Sequence, residues 1–330
     1  MDKLVDYIQS GEKKNIIVLT GAGVSVAAGI PDFRSPTVGL YATLQSMKHL
    51  KMRSPTFVFE LSTFLKDPRP FWWIFGRLWP RSDWPRPTTF HYFLTLLERH
   101  GILLRSYTQN IDDLEIVAGL SQEKLINCHG VLSPCHCLDC GKEVSLSYCI
   151  DSIRRNIDQN IDDYENAVVP SCPFCNKNHV KPDVIFFGEH LPQTFSMFKD
   201  DFPSCDLLIV CGSSLQVDPV CDLPRFVKSD VPRFLINKEK VKDSGGIFRQ
   251  LWNGLKTALT FGMMDFTGMF EFDGERDWFI GGDLQDSCLE LIERLGWKDE
   301  FESLKEEINY SEHPLAKLIL KENQNFQDDV

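Results

Sequence analysis

Apolar residues in this chain tend to stand in short unbroken runs rather than in alternation. Ile16 to Leu19 is one such run; it enters a glycine-rich turn, Gly21 to Gly23, and then small residues as far as Gly29. Comparable runs occur in "ILLRSYTQN" from Ile102, "DLLIVCGSSL" from Asp206 and "PRFLIN" from Pro232, each ending in polar or glycine residues. A continuous run marks a strand covered on both faces, so the pattern predicts a parallel sheet between layers of helices. The first run with its glycines predicts strand, phosphate loop and helix N-terminus in that order. Ligands of such sheets collect at the carboxyl ends of the strands. Gly21 to Gly23, Thr108 to Asp112, Gly212 to Ser214 and Asn237 should therefore meet at one edge.

The rhythm breaks twice. Residues 41–100 read as an irregular helical lobe over the crevice, rich in aromatics ("PFWWIFGRLWP") and prolines. Residues 131–182 carry two Cys-x-x-Cys pairs around a polar, acidic middle. Near the end, "CLELIERLGW" and "EFESLKEEI" have a helical period, and a polar terminus is expected to fray.

Charge narrows the partners. Asp and Glu number 47 against 35 Lys and Arg, a formal net charge of -12. Such a surface disfavours direct nucleic-acid binding and suits basic peptides. No signal-peptide pattern and no run of ~20 apolar residues is visible, so an intracellular chain without membrane contact is expected. In that setting the eleven cysteines should stay reduced.

Cys137, Cys140, Cys172 and Cys175 supply four thiolates in two turns of the correct bite for a tetrahedral zinc ion. Four thiolates leave no position for water, so the zinc would be structural, and a small insert of low apolar content has reason to need it. Cys135 and His136 stand beside the first pair as alternative ligands. His129, in "CHG", lies before the insert, where a cleft position is expected. Its neighbour Cys128 should point to the opposite face of an extended chain, which disfavours a thiol–imidazole pair. "GAGVSVAAG" departs from the dinucleotide fingerprint because Gly29 comes too late, and no P-loop is present. The expected architecture is α/β: a Rossmann-like parallel sheet with helices on both faces (10–40, 101–130, 183–300), plus an inserted small zinc-binding module (131–182), a helical lobe (41–100) and a C-terminal helical, flexible tail (301–330).

"GAGVSVAAGIPDFRSPTVGLY", "TQNIDDLE", "HG", the paired Cys-x-x-Cys motifs, "KPDVIFFGEHLP", "GSSLQVDPV" and "LIN" resemble, in this order, the sirtuins, NAD-dependent protein lysine deacylases. The resemblance spans about residues 10 to 300 and is strongest to the eukaryotic cytoplasmic and nuclear, sirtuin 2-like class. It implies two cofactors, NAD and one structural zinc ion. It places Gly21, Ala22, Gly23 and Arg34 at the phosphates and Asp32 and Phe33 near the nicotinamide. Gln109, Asn110, Ile111 and Asp112 would line the nicotinamide-ribose pocket. Gly212, Ser213 and Ser214 would form a ribose-phosphate loop, with Asn237 and Lys238 at the adenosine ribose and Leu284 at the adenine.

The same resemblance makes His129 the general base and gives Asn110 and Asp112 the orienting of ribose and water. Phe187, Gly188 and Glu189, with Gln216 and Val217, would be the two edges between which an acyl-lysine peptide lies as an added strand. The implied reaction has the acyl oxygen displace nicotinamide from the ribose, while His129 takes a proton from the ribose diol. Its products are free lysine, nicotinamide and 2′-O-acyl-ADP-ribose. Expected partners are acylated lysine peptides, such as basic histone tails or tubulin-like proteins, met in the cytoplasm and in the nucleus.

Two departures stand out. Ser213 replaces the usual threonine, and Leu284, in "GDLQ", replaces the customary cysteine. Tyr41 is followed at a three-residue spacing by Leu44, not the arginine of succinyl- or malonyl-preferring members, so neutral acyl groups are expected. The aromatic lobe could line a tunnel for long acyl chains, each buried CH₂ contributing ~0.8 kcal/mol. Mono-ADP-ribosyl transfer and a non-catalytic acyl-lysine or NAD-binding scaffold are the rival functions.

Overall fold

A computed structural model describes residues 1–32, 39–40, 42, 44, 54–80, 84–159, 163–241, 270–272 and 275–318. Its strands are β1 (Ile16–Thr20), β2 (Leu103–Thr108), β3 (Leu125–Asn127), β4 (Gly130–Cys137), β5 (Glu143–Val144), β6 (Val180–Val184), β7 (Leu207–Cys211), β8 (Arg233–Asn237) and β9 (Asp277–Gly281). Its helices are α1 (Asp2–Gln9), α2 (Leu61–Lys66), α3 (Arg69–Leu78), α4 (Thr89–Arg99), α5 (Leu114–Val117), α6 (Leu146–Ser152), α7 (Arg154–Asp158), α8 (Phe198–Ser204), α9 (Leu284–Leu295) and α10 (Lys298–Glu307).

Every apolar run picked out above forms a strand of one sheet, in the order β3-β2-β1-β7-β8-β9, and all its pairings are parallel. Successive side chains of a strand point to opposite faces. Ile16 and Val18 of β1, with Leu207 and Ile209 of β7, enter a core shared with α1, α4, α9 and α10. Ile17 and Leu19, with Leu208 and Val210, enter the other core, where Phe202 of α8 packs. Burial on both faces is why these runs do not alternate.

One expected element takes a different form. After β1 the chain makes two three-residue 3-10 turns, Ala22–Val24 and Val26–Ala28, and Gly29 closes the second at φ 88°. No α-helix follows the loop directly. Gly23, β-branched Val24 and Val26, and the Gly29-Ile30-Pro31 exit all weaken a helix there.

The cysteine module and the helical lobe pack as one body. Strands β5-β4-β6 form a small antiparallel sheet from Gly130 to Val184. Phe64, Phe71, Trp72, Phe75, Trp79 and Trp84 of the lobe share a core with Val144, Leu146, Ile150, Ile153 and Val180 of the module. Trp72 Nε1 donates to the Val180 carbonyl at 3.1 Å. The insert is therefore not poor in core residues, as its polar middle suggested. Its apolar side chains find partners more than sixty positions earlier in the chain. The C-terminal region packs further than expected too: Leu315 and Ala316 are buried in this same core. No helix among the described residues is long and apolar enough to cross a membrane.

Candidate active site

The polar ends of the parallel strands converge as expected. Gln109, just beyond β2, donates from Nε2 to the Thr20 carbonyl at 3.1 Å and to Ser213 Oγ at 2.7 Å. It thereby joins the ends of β1, β2 and β7. Asn237 Nδ2 donates to the Ser213 carbonyl at 3.1 Å, which adds β8. Gln285, which the sequence did not single out, brings in the start of α9: its Nε2 donates to the Val24 carbonyl and its Oε1 accepts from the Phe90 amide.

The glycines of the first loop have a requirement of their own. The Gly21 amide donates to the Cys211 carbonyl and the Gly23 amide to the Gly212 carbonyl. A Cβ on Gly23 would lie 2.7 Å from Gly212 Cα, and one on Gly21 would lie 2.9 Å from Ser213 Cα. These positions are small because two loops touch there, whatever ligand the loop also holds. Gly23→Ala is expected to cost about 1–3 kcal/mol of stability, the usual range for overpacking. A thermal melt checks it, and an unchanged melting temperature would refute the loop contact.

His129 stands between β3 and β4. Its Nδ1 lies 2.9 Å from the Gln109 carbonyl oxygen. A carbonyl can only accept, so Nδ1 carries the proton and Nε2 presents its lone pair. That Nε2 is buried with no partner among the described residues. Burial holds the imidazole pKa below its ordinary value, opposed by the hydrogen bond to Gln109. A neutral ring with a free Nε2 is the state a general base requires.

Asn110 and Asp112 are both buried. The Asn110 amide donates to Thr108 Oγ1 and its Nδ2 donates to Ser25 Oγ at 3.1 Å. Asp112 accepts at 3.1 Å from the amide of Leu114, the first residue of the short helix α5. Burial raises the Asp112 pKa, while hydrogen bonds from the Leu114 amide and the Ser25 hydroxyl oppose that rise. Ser25 thus links Asn110 to Asp112. Ile111 packs against the core of the lobe.

The remaining sequence candidates divide. Ser213 is buried whereas Ser214 and Lys238 are exposed. Asp32 is half-buried and its carbonyl accepts from the Leu40 amide. Leu284 begins α9 with its side chain in the sheet's core, which leaves only its backbone for a ligand. Phe33, Arg34 and Tyr41 lie outside the described residues.

Phe187 is exposed, but its amide donates to the Phe59 carbonyl and its carbonyl accepts from the Leu61 amide. Gly188 follows at φ +96°, a conformation natural to glycine. Glu189 is clamped: its carboxylate lies 3.1 Å from the buried Lys181 ammonium and accepts from the Phe186 amide at 2.7 Å. Lys181 itself donates to the Val184 carbonyl at 2.7 Å. No local pattern marks this clamp, because an eight-residue separation is too wide for any local period. Gln216 is exposed and Val217 half-buried on the loop after β7.

The metal centre is formed by Cys137, Cys140, Cys172 and Cys175, whose sulfurs all lie within 4.8 Å of one another. Cys137 Sγ to Cys175 Sγ and Cys140 Sγ to Cys172 Sγ are each 3.6 Å. Zinc–sulfur bonds of ~2.3 Å in a tetrahedron put sulfurs about 3.8 Å apart, so the four residues fit a structural zinc ion. The two turns are alike: the Gly141 amide donates to the Cys137 carbonyl and the Asn176 amide to the Cys172 carbonyl, with both residues at positive φ. The alternatives beside the first pair lie outside this group of four. Cys135 is buried in the shared core, and His136 Nδ1 pairs with Asp183 Oδ1 at 2.7 Å.

The model of the Sir2 family matches residues 21–219. The chain is 40% identical to the NAD-dependent protein deacetylase sirtuin-2 of Danio rerio, over 92% of its own length and 74% of that protein. It is 36% identical to the NAD-dependent protein deacetylase hst2 of Schizosaccharomyces pombe, over 92% of its own length and 79% of that protein. It is 40% identical to the NAD-dependent deacetylase sir2A of Dictyostelium discoideum, of which it spans about half, 53%.

Proposed function

The chain belongs to the Sir2 family, and on that premise we propose that it is an NAD-dependent protein lysine deacetylase. The observation that carries this reading is His129, whose Nδ1 is fixed as a donor to Gln109 and whose Nε2 is left buried and free. A mere binding module needs no base held in that tautomer. NAD, when bound, supplies an electrophilic ribose carbon with nicotinamide as its leaving group.

The NAD-binding residues are those at the strand ends: Gly21 to Gly23, Asp32, Gln109 to Asp112, Gly212 to Ser214, Asn237, Lys238 and the Leu284 backbone, joined by Phe33 and Arg34. Asn110 and Asp112, tied through Ser25, orient the reacting ribose and water. His129 Nε2 takes the ribose hydroxyl proton. The peptide lies between Phe187–Glu189 and Gln216–Val217, where Gly188 and the clamped Glu189 supply a rigid edge. The zinc ion stays with its four thiolates, away from the proton transfers.

Acylated lysine in a basic peptide, such as a histone tail or a tubulin-like protein, suits the net charge of -12. Long acyl chains extend the reading, the apolar lobe giving them a lining. A cytoplasmic location with a nuclear share goes with this substrate class.

Mass spectrometry after incubation with an acetyl-lysine peptide, with and without NAD, tests the reading. NAD-dependent loss of the acetyl mass, with nicotinamide and 2′-O-acyl-ADP-ribose formed, is the expected result. ADP-ribose adducts on protein in place of those products would move the activity to mono-ADP-ribosyl transfer. No product from acetyl or myristoyl peptides would leave an acyl-lysine or NAD-binding scaffold.

A further inference from the structure

Three titratable side chains converge beneath the cleft. His91 lies in the first turn of α4, Asp112 in the loop after β2, and Glu115 in the first turn of α5. They are 0%, 6% and 1% exposed. One ligand-type atom of each lies within 4.8 Å of those of the other two. His91 Nε2 and Glu115 Oε1 are buried and without a hydrogen-bond partner among the described residues.

The start of α4 settles the state of the imidazole. The Thr88 backbone N–H, which can only donate, lies 3.0 Å from His91 Nδ1 as half of a capping box. The ring proton is therefore on Nε2, the nitrogen without a partner. A metal ion would need that nitrogen's lone pair, so the trio is not a metal centre in this state. Burial lowers the His91 pKa to about 3, which leaves the ring neutral.

Among the described residues no cation acts on these carboxyls. Burial, then the charges of Asp112 and Asp113, raises Glu115 to about 8. Burial and Asp112 raise Asp113 to about 6. The groups facing Glu115 are Asp112 and Asp113 on its own loop, neutral His91 from α4 and the Thr108 hydroxyl at the end of β2. Neighbouring carboxyls oppose a further negative charge here. Asp112 accepts from the Leu114 amide and the Ser25 hydroxyl, whereas Glu115 Oε1 has no donor among the described residues, so the proton of this pair sits on Glu115.

We propose that Glu115 is a positioning residue that holds a proton beside Asp112 and releases it to solvent when a cationic ring enters the cleft above. The inference rests on the reading that Asp112 faces the nicotinamide riboside of NAD, whose pyridinium carries the positive charge. A cation close to the carboxyls favours their ionised form. By linkage, ionisation of Glu115 then favours binding of the cation. The step balances as Glu115 carboxyl to carboxylate plus one proton taken up by buffer. Glu115 touches no reacting atom; it acts through the charge and placement of Asp112.

Isothermal titration calorimetry on the full chain at pH 7.5, run in phosphate and in Tris, measures protons released per ligand bound. With NAD, wild-type protein is expected to release a substantial fraction of a proton. ADP-ribose, which lacks the cationic ring, is expected to release little. Glu115→Gln, close to isosteric, is expected to bind NAD with that release lost. NAD affinity should strengthen with pH between 6 and 8 in the wild type, by at most about tenfold per unit, and be flatter in the variant.

Equal release with NAD and ADP-ribose overturns the proposal, and that comparison needs no variant. Release undiminished in Glu115→Gln overturns it as well. NAD binding without any proton release refutes the proton link while leaving the NAD reading intact. If NAD does not bind at all, the functional reading itself fails and the proposal falls with it.

Discussion

His129→Ala is expected to fold, to bind NAD and to lose most deacetylation, with kcat lowered about 10²–10⁴-fold. The expectation follows from one hydrogen bond. The Gln109 carbonyl holds Nδ1–H at 2.9 Å, so the lone pair of Nε2 is presented to the cleft without competition. Removing the ring leaves Gln109 anchored by its side chain to Thr20 and Ser213, so the strand ends should stay joined.

Steady-state rates with saturating NAD, paired with an NAD-binding isotherm, check both halves. Full turnover by the variant would falsify the base assignment. The pH dependence has a definite sign. Burial depresses the imidazole pKa below its ordinary ~6.5, and the neutral ring is the active form. Activity should therefore hold as pH falls through 6.5, and fall only as the lower, folded-state value is reached. In His129→Ala that acid limb should vanish from the residual rate.

Cys172→Ser is expected to abolish stoichiometric zinc and to unfold more than the module that carries it. Cys172 is fully buried, and a serine hydroxyl is a poor substitute for one of four thiolates around zinc. The module shares its core with Trp72, Trp79 and Trp84, and Trp72 hydrogen-bonds Val180 across the contact. Loss of the metal should therefore reach the lobe as well as the two cysteine turns. Elemental analysis should show zinc gone, and near-ultraviolet circular dichroism should show the tryptophan signal collapsing at a lower temperature. His136→Ala is the control. That ring pairs with Asp183 rather than with the tetrad, so zinc should be retained. A zinc-free Cys172→Ser protein with wild-type melting and activity would refute the structural role.

These two sites were legible in the sequence to different depths. The cysteine tetrad could be read because each pair is local: two residues between cysteines set the bite of a turn, and two such turns complete a tetrahedron. The choice of Cys137 over Cys135 or His136 was not local. It depended on which ligand atoms the fold brings up to Cys172 and Cys175. His129 could be placed in the cleft from its position after a strand and from family likeness. Its tautomer could not, since that rests on a carbonyl twenty residues away.

Short periods along the chain already encode the sheet strands, from continuous apolar runs; the gathering of polar loops at their carboxyl ends; and the zinc turns. Folding decided the rest, because the deciding contacts join residues far apart in the chain. Gly21 and Gly23 are required by Gly212 and Ser213, nearly two hundred positions later. The cysteine module is packed by aromatics of the lobe, and Lys181 fixes Glu189. The proton beneath Asp112 depends on His91 and Glu115 arriving from separate helices at one buried point. A local pattern records which face of an element avoids water. It does not record which partner meets that face, and the chemistry of this site depends on those partners.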